Sequence, residues 1–118
     1  MKILIVDDNA RIRQTISKML LRHFSDAILL ERDDGSDAVE CFNMEKPDLI
    51  LIDIIMNKMD GFTAIKHIRR ASSSVKIIVV SQLGDKEFRD EAFNSGADDF
   101  INKENLLSLH QSIVNLFH

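Results

Sequence analysis

The chain has no tryptophan, no tyrosine and a single cysteine, Cys41, in 118 residues. One cysteine excludes an internal disulfide and fits a reducing compartment. Nothing in the sequence around Cys41 suggests a low-pKa thiol, so it reads as a small apolar filler in a helix. Excess positive charge is also missing: 15 Lys and Arg stand against 19 Asp and Glu, for a net charge of −4. That balance argues against nucleic-acid binding by this domain, which would need clustered basic side chains. No apolar run approaches the roughly 18 residues needed to cross a bilayer. The N-terminal run Ile3 to Val6 is too short for a signal-peptide core and leads straight into Asp7 and Asp8. Low-complexity tracts, internal repeats and interdomain linkers are absent. The length suits one compact core and not two, so residues 1–118 are expected to form one domain. A cytoplasmic, soluble domain with no membrane partner is the expectation.

Apolar residues make up 45% of the chain and charged residues 29%, as in an ordinary globular domain. Two patterns take turns along it. Ile3-Leu4-Ile5-Val6, Leu49-Ile50-Leu51-Ile52 and Ile77-Ile78-Val79-Val80 are short unbroken apolar runs, as expected of parallel strands covered on both faces. Ala27 to Leu30 and Phe100-Ile101 are weaker and suit edge strands. Between these runs lie segments with helical spacing. Ile12, Ile16, Met19, Leu20 and Phe24 form one stripe, with Asn9 placed to cap it. Ala38, Val39 and Phe42 mark a second helix that ends before Pro47. Phe62, Ile65 and Ile68 mark a third. Phe88, Ala92 and Phe93 mark a fourth that stops at Gly96. Leu106, Leu109, Ile113, Leu116 and Phe117 mark the last. Five strands alternating with five helices imply an α/β fold with a parallel sheet and right-handed crossovers.

In such sheets the chemistry gathers beyond the C-terminal strand ends. Asp7 and Asp8 follow the first run, Asp53 the third, Ser81 the fourth and Lys103 the fifth. Each alone has an ordinary explanation: an acidic pair caps a helix, and a loop Ser or Lys is inert. Their joint appearance at four of five strand ends is much harder to dismiss. Two like charges about 5 Å apart repel by roughly 3 kcal/mol at an effective dielectric near 20. Three clustered carboxylates therefore call for a cation, and hard oxygen ligands suit Mg²⁺. Lys103 and Ser81 would be placed to hold phosphoryl oxygens, and one carboxylate of the group would suffice as nucleophile. By contrast, His23, His67, His110 and His118 are scattered without metal-ligand spacing. Asp33-Asp34-Gly35 reads as turn chemistry, and Asp98-Asp99 as the approach to the fifth strand.

These residues resemble a family. Ile5-Val6-Asp7-Asp8-Asn9, Asp53-Ile54-Ile55-Met56 with Met59-Asp60-Gly61, Val79-Val80-Ser81, and Gly96-Ala97-Asp98-Asp99-Phe100 with Lys103 are similar to response-regulator receiver domains of two-component signalling. The resemblance covers essentially the whole chain. It implies the CheY-like, doubly wound sheet with strand order 2-1-3-4-5 and five helices. It implies Asp53 as phosphoryl acceptor, and Asp8, Asp53 and the Ile55 carbonyl as direct Mg²⁺ ligands, with Asp7 acting through water. Lys103 and Ser81 would hold phosphoryl oxygens, and Ser81 with Phe100 would form the switch. The output surface would be the fourth helix, fifth strand and fifth helix.

Implied partners are a sensor histidine kinase or phosphotransfer protein, then a downstream protein, an attached output domain or a second protomer. Such a domain is not an enzyme with a substrate to turn over; it catalyses only its own phosphorylation and dephosphorylation. Three positions depart from the family pattern. Asn57 replaces a usual proline and would loosen its loop. Gln82, where a small residue is usual, would crowd the acceptor. Glu104 replaces a proline whose peptide bond is typically cis; a trans bond is expected instead, with Lys103 displaced. Apolar Ile55 and Leu83 cannot orient a hydrolytic water, which predicts slow self-dephosphorylation.

Other functions fit less well. An aspartyl-phosphate hydrolase of the haloacid dehalogenase type would need an acid at position 55. A flavodoxin-like FMN protein would need a hydroxyl-rich loop where Asp7 and Asp8 stand. A non-phosphorylated pseudo-receiver remains as the alternative, sustained by Gln82 and Glu104.

Overall fold

A computed structural model describes residues 1–56 and 59–117; Asn57 lies outside them. Strands β1 (Lys2–Val6), β2 (Ile28–Arg32), β3 (Leu49–Ile52), β4 (Lys76–Ser81) and β5 (Asp99–Asn102) alternate with α1 (Ala10–His23), α2 (Gly35–Glu45), α3 (Gly61–Ala71), α4 (Lys86–Ser95) and α5 (Leu109–Leu116). All strand pairs are parallel, in the order β2-β1-β3-β4-β5. The order and the helix count match the sequence expectation. The crossover after β1 runs to β2 on one side and that after β3 to β4 on the other, so the C-terminal ends of these two adjacent strands frame the crevice.

Strand alternation divides the core in two. Leu4, Val6, Ile50, Ile52, Ile77 and Val79 face α2, α3 and α4, where Phe42, Ile65, Ile68 and Ala92 meet them. Ile3, Ile5, Leu49, Leu51, Ile78 and Val80 face Ile16 and Leu20 of α1 and Leu109 and Ile113 of α5. Both faces being dry, β1, β3 and β4 read as unbroken apolar runs. The edge strand β2 leaves Ile28 exposed. Cys41 is buried in the first of these clusters, and burial pushes its thiol pKa up, in keeping with an inert filler. Phe93 departs from the expected stripe of α4: Ala92 is buried but Phe93 is 43% exposed.

The helix starts are set by caps. Asn9 Oδ1 accepts from the Arg11 and Ile12 amides at 2.9 and 3.4 Å. Asp34 accepts from Asp37 N at 2.9 Å and Asp60 from Thr63 N at 2.8 Å. Each cap satisfies amides that the helix cannot. Gly96 ends α4 at φ 123, a conformation costly for any side chain.

The last helix differs from the expectation. Lys103–Ser108 forms a 3₁₀ segment broken at Asn105, and the α-helix begins only at Leu109. Local side-chain bonds compete with the α pattern there. Asn102 Oδ1 accepts from Glu104 N at 2.8 Å, and the Ser108 hydroxyl donates to Asn105 O at 2.8 Å. No described helix is long and apolar enough to cross a membrane.

Candidate functional site

The β1–α1 turn is held at every polar atom of Asp7. Its amide donates to Arg32 O at 3.2 Å, and its Oδ1 accepts from Asn9 N at 2.8 Å. Its carbonyl accepts from the Arg13 guanidinium at 2.5 Å, which also pairs with Glu31 at 3.0 Å. Its Oδ2 meets Lys103 Nζ at 2.7 Å. Arg13 went unnoticed in the sequence. Its signal was only a basic residue six positions beyond Asp7, an ordinary helix-surface feature.

Asp53 follows β3 directly and is buried. Its Oδ1 accepts from the Ile54 amide at 2.7 Å and the Ile55 amide at 3.4 Å, while Oδ2 accepts from Lys103 Nζ at 2.9 Å. Lys103 thus sits between two buried carboxylates. The expected displacement of this lysine is corrected. Among the described residues every peptide bond is trans, yet the ammonium reaches both acids. Asn102 caps the segment that follows β5, its Oδ1 accepting from Glu104 N at 2.8 Å.

Asp8 is the exposed member of the acid group. Carboxylate oxygens of Asp7, Asp8 and Asp53 lie within 4.8 Å of one another. Loss of water on the pocket side, then the Asp7 and Asp53 charges, push the Asp8 carboxyl above the usual aspartate range against an opposing pull from Lys103. For Lys103, burial works against the charged form. The hydrogen bonds to Asp7 and Asp53, together with their charges, outweigh it and hold the ammonium above the ordinary lysine value.

One monovalent cation among three carboxylates leaves a surplus of negative charge. The donor set, all hard oxygen, fits a divalent ion such as Mg²⁺. A second acidic group, Asp33, Asp34 and Asp37, also has oxygens within 4.8 Å of one another; there Asp34 caps α2, in line with the turn reading.

Ser81 lies at the end of β4, 1% exposed, its hydroxyl accepting from Leu83 N at 3.1 Å. Asp8, Asp53, Ser81 and Lys103 share a cavity of about 270 Å³, with Gln82 and Leu83 also on its wall. Ile55 lines the cavity as well and is 56% exposed. Phe100 is not part of this cavity. It is buried in the core, with the Arg89 guanidinium 5.1 Å from its ring centroid. The family resemblance pairs Ser81 with Phe100; the first lines the cavity, and the second is buried on β5 beside Val79 of β4.

Comparison with known proteins is consistent throughout. Residues 3–114 match the family model described as the response regulator receiver domain. The chain is 38% identical over 102 residues to the chemotaxis protein CheY of Bacillus subtilis, covering 86% of this chain and 84% of that one. It is also 38% identical over 104 residues to a probable transcriptional regulator, ycf27, of Guillardia theta, spanning 86% of this chain but 39% of that protein. Among solved structures, the CheX–CheY–BeF3–Mg²⁺ complex from Borrelia burgdorferi superposes with a TM-score of 0.92 at 26% identity, covering 100% of this chain and 90% of that one. With sequence, fold and strand order in agreement, the chain belongs to the response regulator receiver domains of two-component systems.

Proposed function

We propose that this receiver accepts a phosphoryl group on Asp53 from a sensor histidine kinase or a phosphotransfer protein, in a Mg²⁺-dependent reaction. The observation that carries the reading is Lys103 Nζ lodged between Asp7 and Asp53, at 2.7 and 2.9 Å, in a cavity that Ser81 shares. Asp8, Asp53 and the Ile55 carbonyl would hold the metal directly, with Asp7 acting through bound water. Bound there, Mg²⁺ would neutralise the acid group and draw charge from the incoming phosphoryl oxygens.

The protein's own part is positioning. The Ile54 and Ile55 amides hold Asp53 Oδ1, which leaves Oδ2 to attack phosphorus. As the O–P bond forms, the donor's P–N bond breaks and its electron pair leaves on the imidazole. Lys103 then exchanges Asp53 Oδ2 for a phosphoryl oxygen, keeping one acid partner in Asp7. The Ser81 hydroxyl turns from Leu83 N to donate to a second phosphoryl oxygen.

Ser81 ends β4, and Phe100 lies in β5, where Val79 pairs with it. A shift at Ser81 thereby reaches Phe100, Arg89 and the α4–β5–α5 face, where a downstream protein, an output domain or a second protomer would dock. The domain turns over no separate substrate and acts in the cytoplasm, without touching nucleic acid itself. The pseudo-receiver alternative loses one support, because Glu104 does not displace Lys103.

Incubation with Mg²⁺ and acetyl phosphate, followed by intact-mass measurement, tests the reading. One added phosphoryl group, lost in Asp53→Asn, is expected. No added mass in a protein that still binds Mg²⁺ would instead establish the pseudo-receiver.

A further inference from the structure

The segment between Asp53 and α3 is closed by a hydrogen bond from the Gly61 amide to the Ile54 carbonyl, 3.0 Å long. At this closure Gly61 presses on the backbone that leaves β3. A Cβ at position 61 would stand 2.3 Å from the Asp53 carbonyl oxygen, 2.6 Å from Ile54 Cα and 3.0 Å from the Asp53 carbonyl carbon. All three are main-chain atoms, so no rotamer change relieves the overlap. The Asp53–Ile54 peptide itself would have to move. That peptide carries the Ile54 N–H that fixes Asp53 Oδ1 at 2.7 Å. Nor does α3 swing away freely, since its Ala64, Ile65 and Ile68 are buried in the core against the sheet.

A second glycine grips the same loop from another side. Gly35, the first residue of α2, would place a Cβ 2.5 Å from Met59 O and 3.0 Å from Met59 Cβ. Neither glycine has a positive φ. Both are needed for close approach and not for dihedral freedom.

Resting on the reading of Asp53 as phosphoryl acceptor, we propose that Gly61 is a positioning residue for its carboxylate, with Gly35 bracing the same loop through Met59. A side chain at 61 turns the Ile54 N–H away from Oδ1 and carries Oδ2 off the line between Lys103 and the incoming phosphorus. Misplacement of a reacting group by about 1 Å costs about 10²-fold in rate.

The experiment compares wild type, Gly61→Ala and Gly35→Ala in Mg²⁺ and acetyl phosphate at saturation. Phosphorylation rates are normalised to the folded fraction from far-UV circular dichroism. In parallel, amide resonances of Ile54, Ile3 and Ile77 are followed by NMR. Expected is a loss of about 10²-fold in Gly61→Ala and a smaller loss in Gly35→Ala. The Ile54 amide shifts while Ile3 and Ile77 do not, which a general loss of stability would not produce. A folded Gly61→Ala that reacts at the wild-type rate with an unmoved Ile54 amide overturns the proposal. If Gly61→Ala fails to fold, Gly35→Ala decides: slower reaction with an intact fold supports the bracing, and the wild-type rate refutes it. Should the wild type itself take no phosphoryl group, the reading of Asp53 fails, and the Ile54 shift still decides whether Gly61 holds that carboxylate.

Discussion

Replacing Lys103 by methionine tests the electrostatics of the pocket directly. The side chain keeps its bulk and loses the ammonium that meets Asp7 Oδ2 at 2.7 Å and Asp53 Oδ2 at 2.9 Å. The lysine side chain is 10% exposed and the two acids 3% and 9%, so water cannot replace the lost partner cheaply. Removing one member of a buried ion pair costs about 3–5 kcal/mol. The cavity beside this pair places the cost near the lower end, about 3 kcal/mol, or roughly 10 °C in Tm for a domain of this size.

The loss should depend on pH with a definite sign. The raised Lys103 value means its contribution is complete at neutral pH and fades only above the ordinary lysine range. The Asp8 carboxyl is likewise raised, so the metal-free protein loses stability as pH climbs from the usual aspartate range through that raised value. Without the Lys103 charge, which opposes this rise, the penalty should be larger at pH 7 than at pH 4. Mg²⁺ should restore more stability to Lys103→Met than to wild type. A neighbouring unit charge opposes a cation by about 1 kcal/mol even at water-like screening. Because tryptophan and tyrosine are absent, the assay is thermal unfolding by far-UV circular dichroism, with and without Mg²⁺ at both pH values. Equal stability of variant and wild type at pH 7 and an equal Mg²⁺ response would refute the reasoning.

Arg69→Met should unfold at distinctly lower denaturant, by about 2–3 kcal/mol for charged hydrogen bonds left unmade, since this guanidinium donates to Gly96 O, Ser72 O, Val75 O and Asp98. Phosphorylation per folded molecule should be untouched, because that cluster lies at the opposite sheet end from Asp53. Ser17→Ala should raise stability by up to about 1 kcal/mol, as the Ser17 hydroxyl is buried without a partner; destabilisation in urea would show that it has one. Ile55→Asn should shorten the phosphoryl lifetime, which is expected to be long in the wild type. A wild-type lifetime of seconds, unchanged by the substitution, rejects the idea that an apolar residue there slows hydrolysis.

The fold was largely legible because its pattern is redundant. Strands β1, β3 and β4 are dry on both faces, and each announced itself as an unbroken apolar run. The apolar pattern puts edge strand β2 a little early, at Ala27 to Leu30 instead of Ile28–Arg32, since an exposed edge lacks an unbroken apolar run. The acid group, Ser81 and Lys103 were legible because the topology puts strand ends together. What escaped reading was contact chemistry without periodicity. The 3₁₀ segment after Lys103 depends on two side-chain bonds from Asn102 and Ser108, which apolar spacing does not register. Arg13 and Arg69 look like surface charges until their carbonyl partners, remote in sequence or sheltered by folding, are known. Gly61 and Gly35 have ordinary dihedrals, and only their neighbours across the fold reveal why nothing larger fits.

The most direct measurement is to locate the phosphoryl group itself. After reaction with acetyl phosphate and Mg²⁺, borohydride reduction converts an aspartyl phosphate to homoserine, and tandem mass spectrometry reads the position. Conversion at Asp53 alone, abolished when Mg²⁺ is chelated, is the expected result. Modification at Asp7 or Asp8, or at Asp53 with no dependence on Mg²⁺, would contradict it.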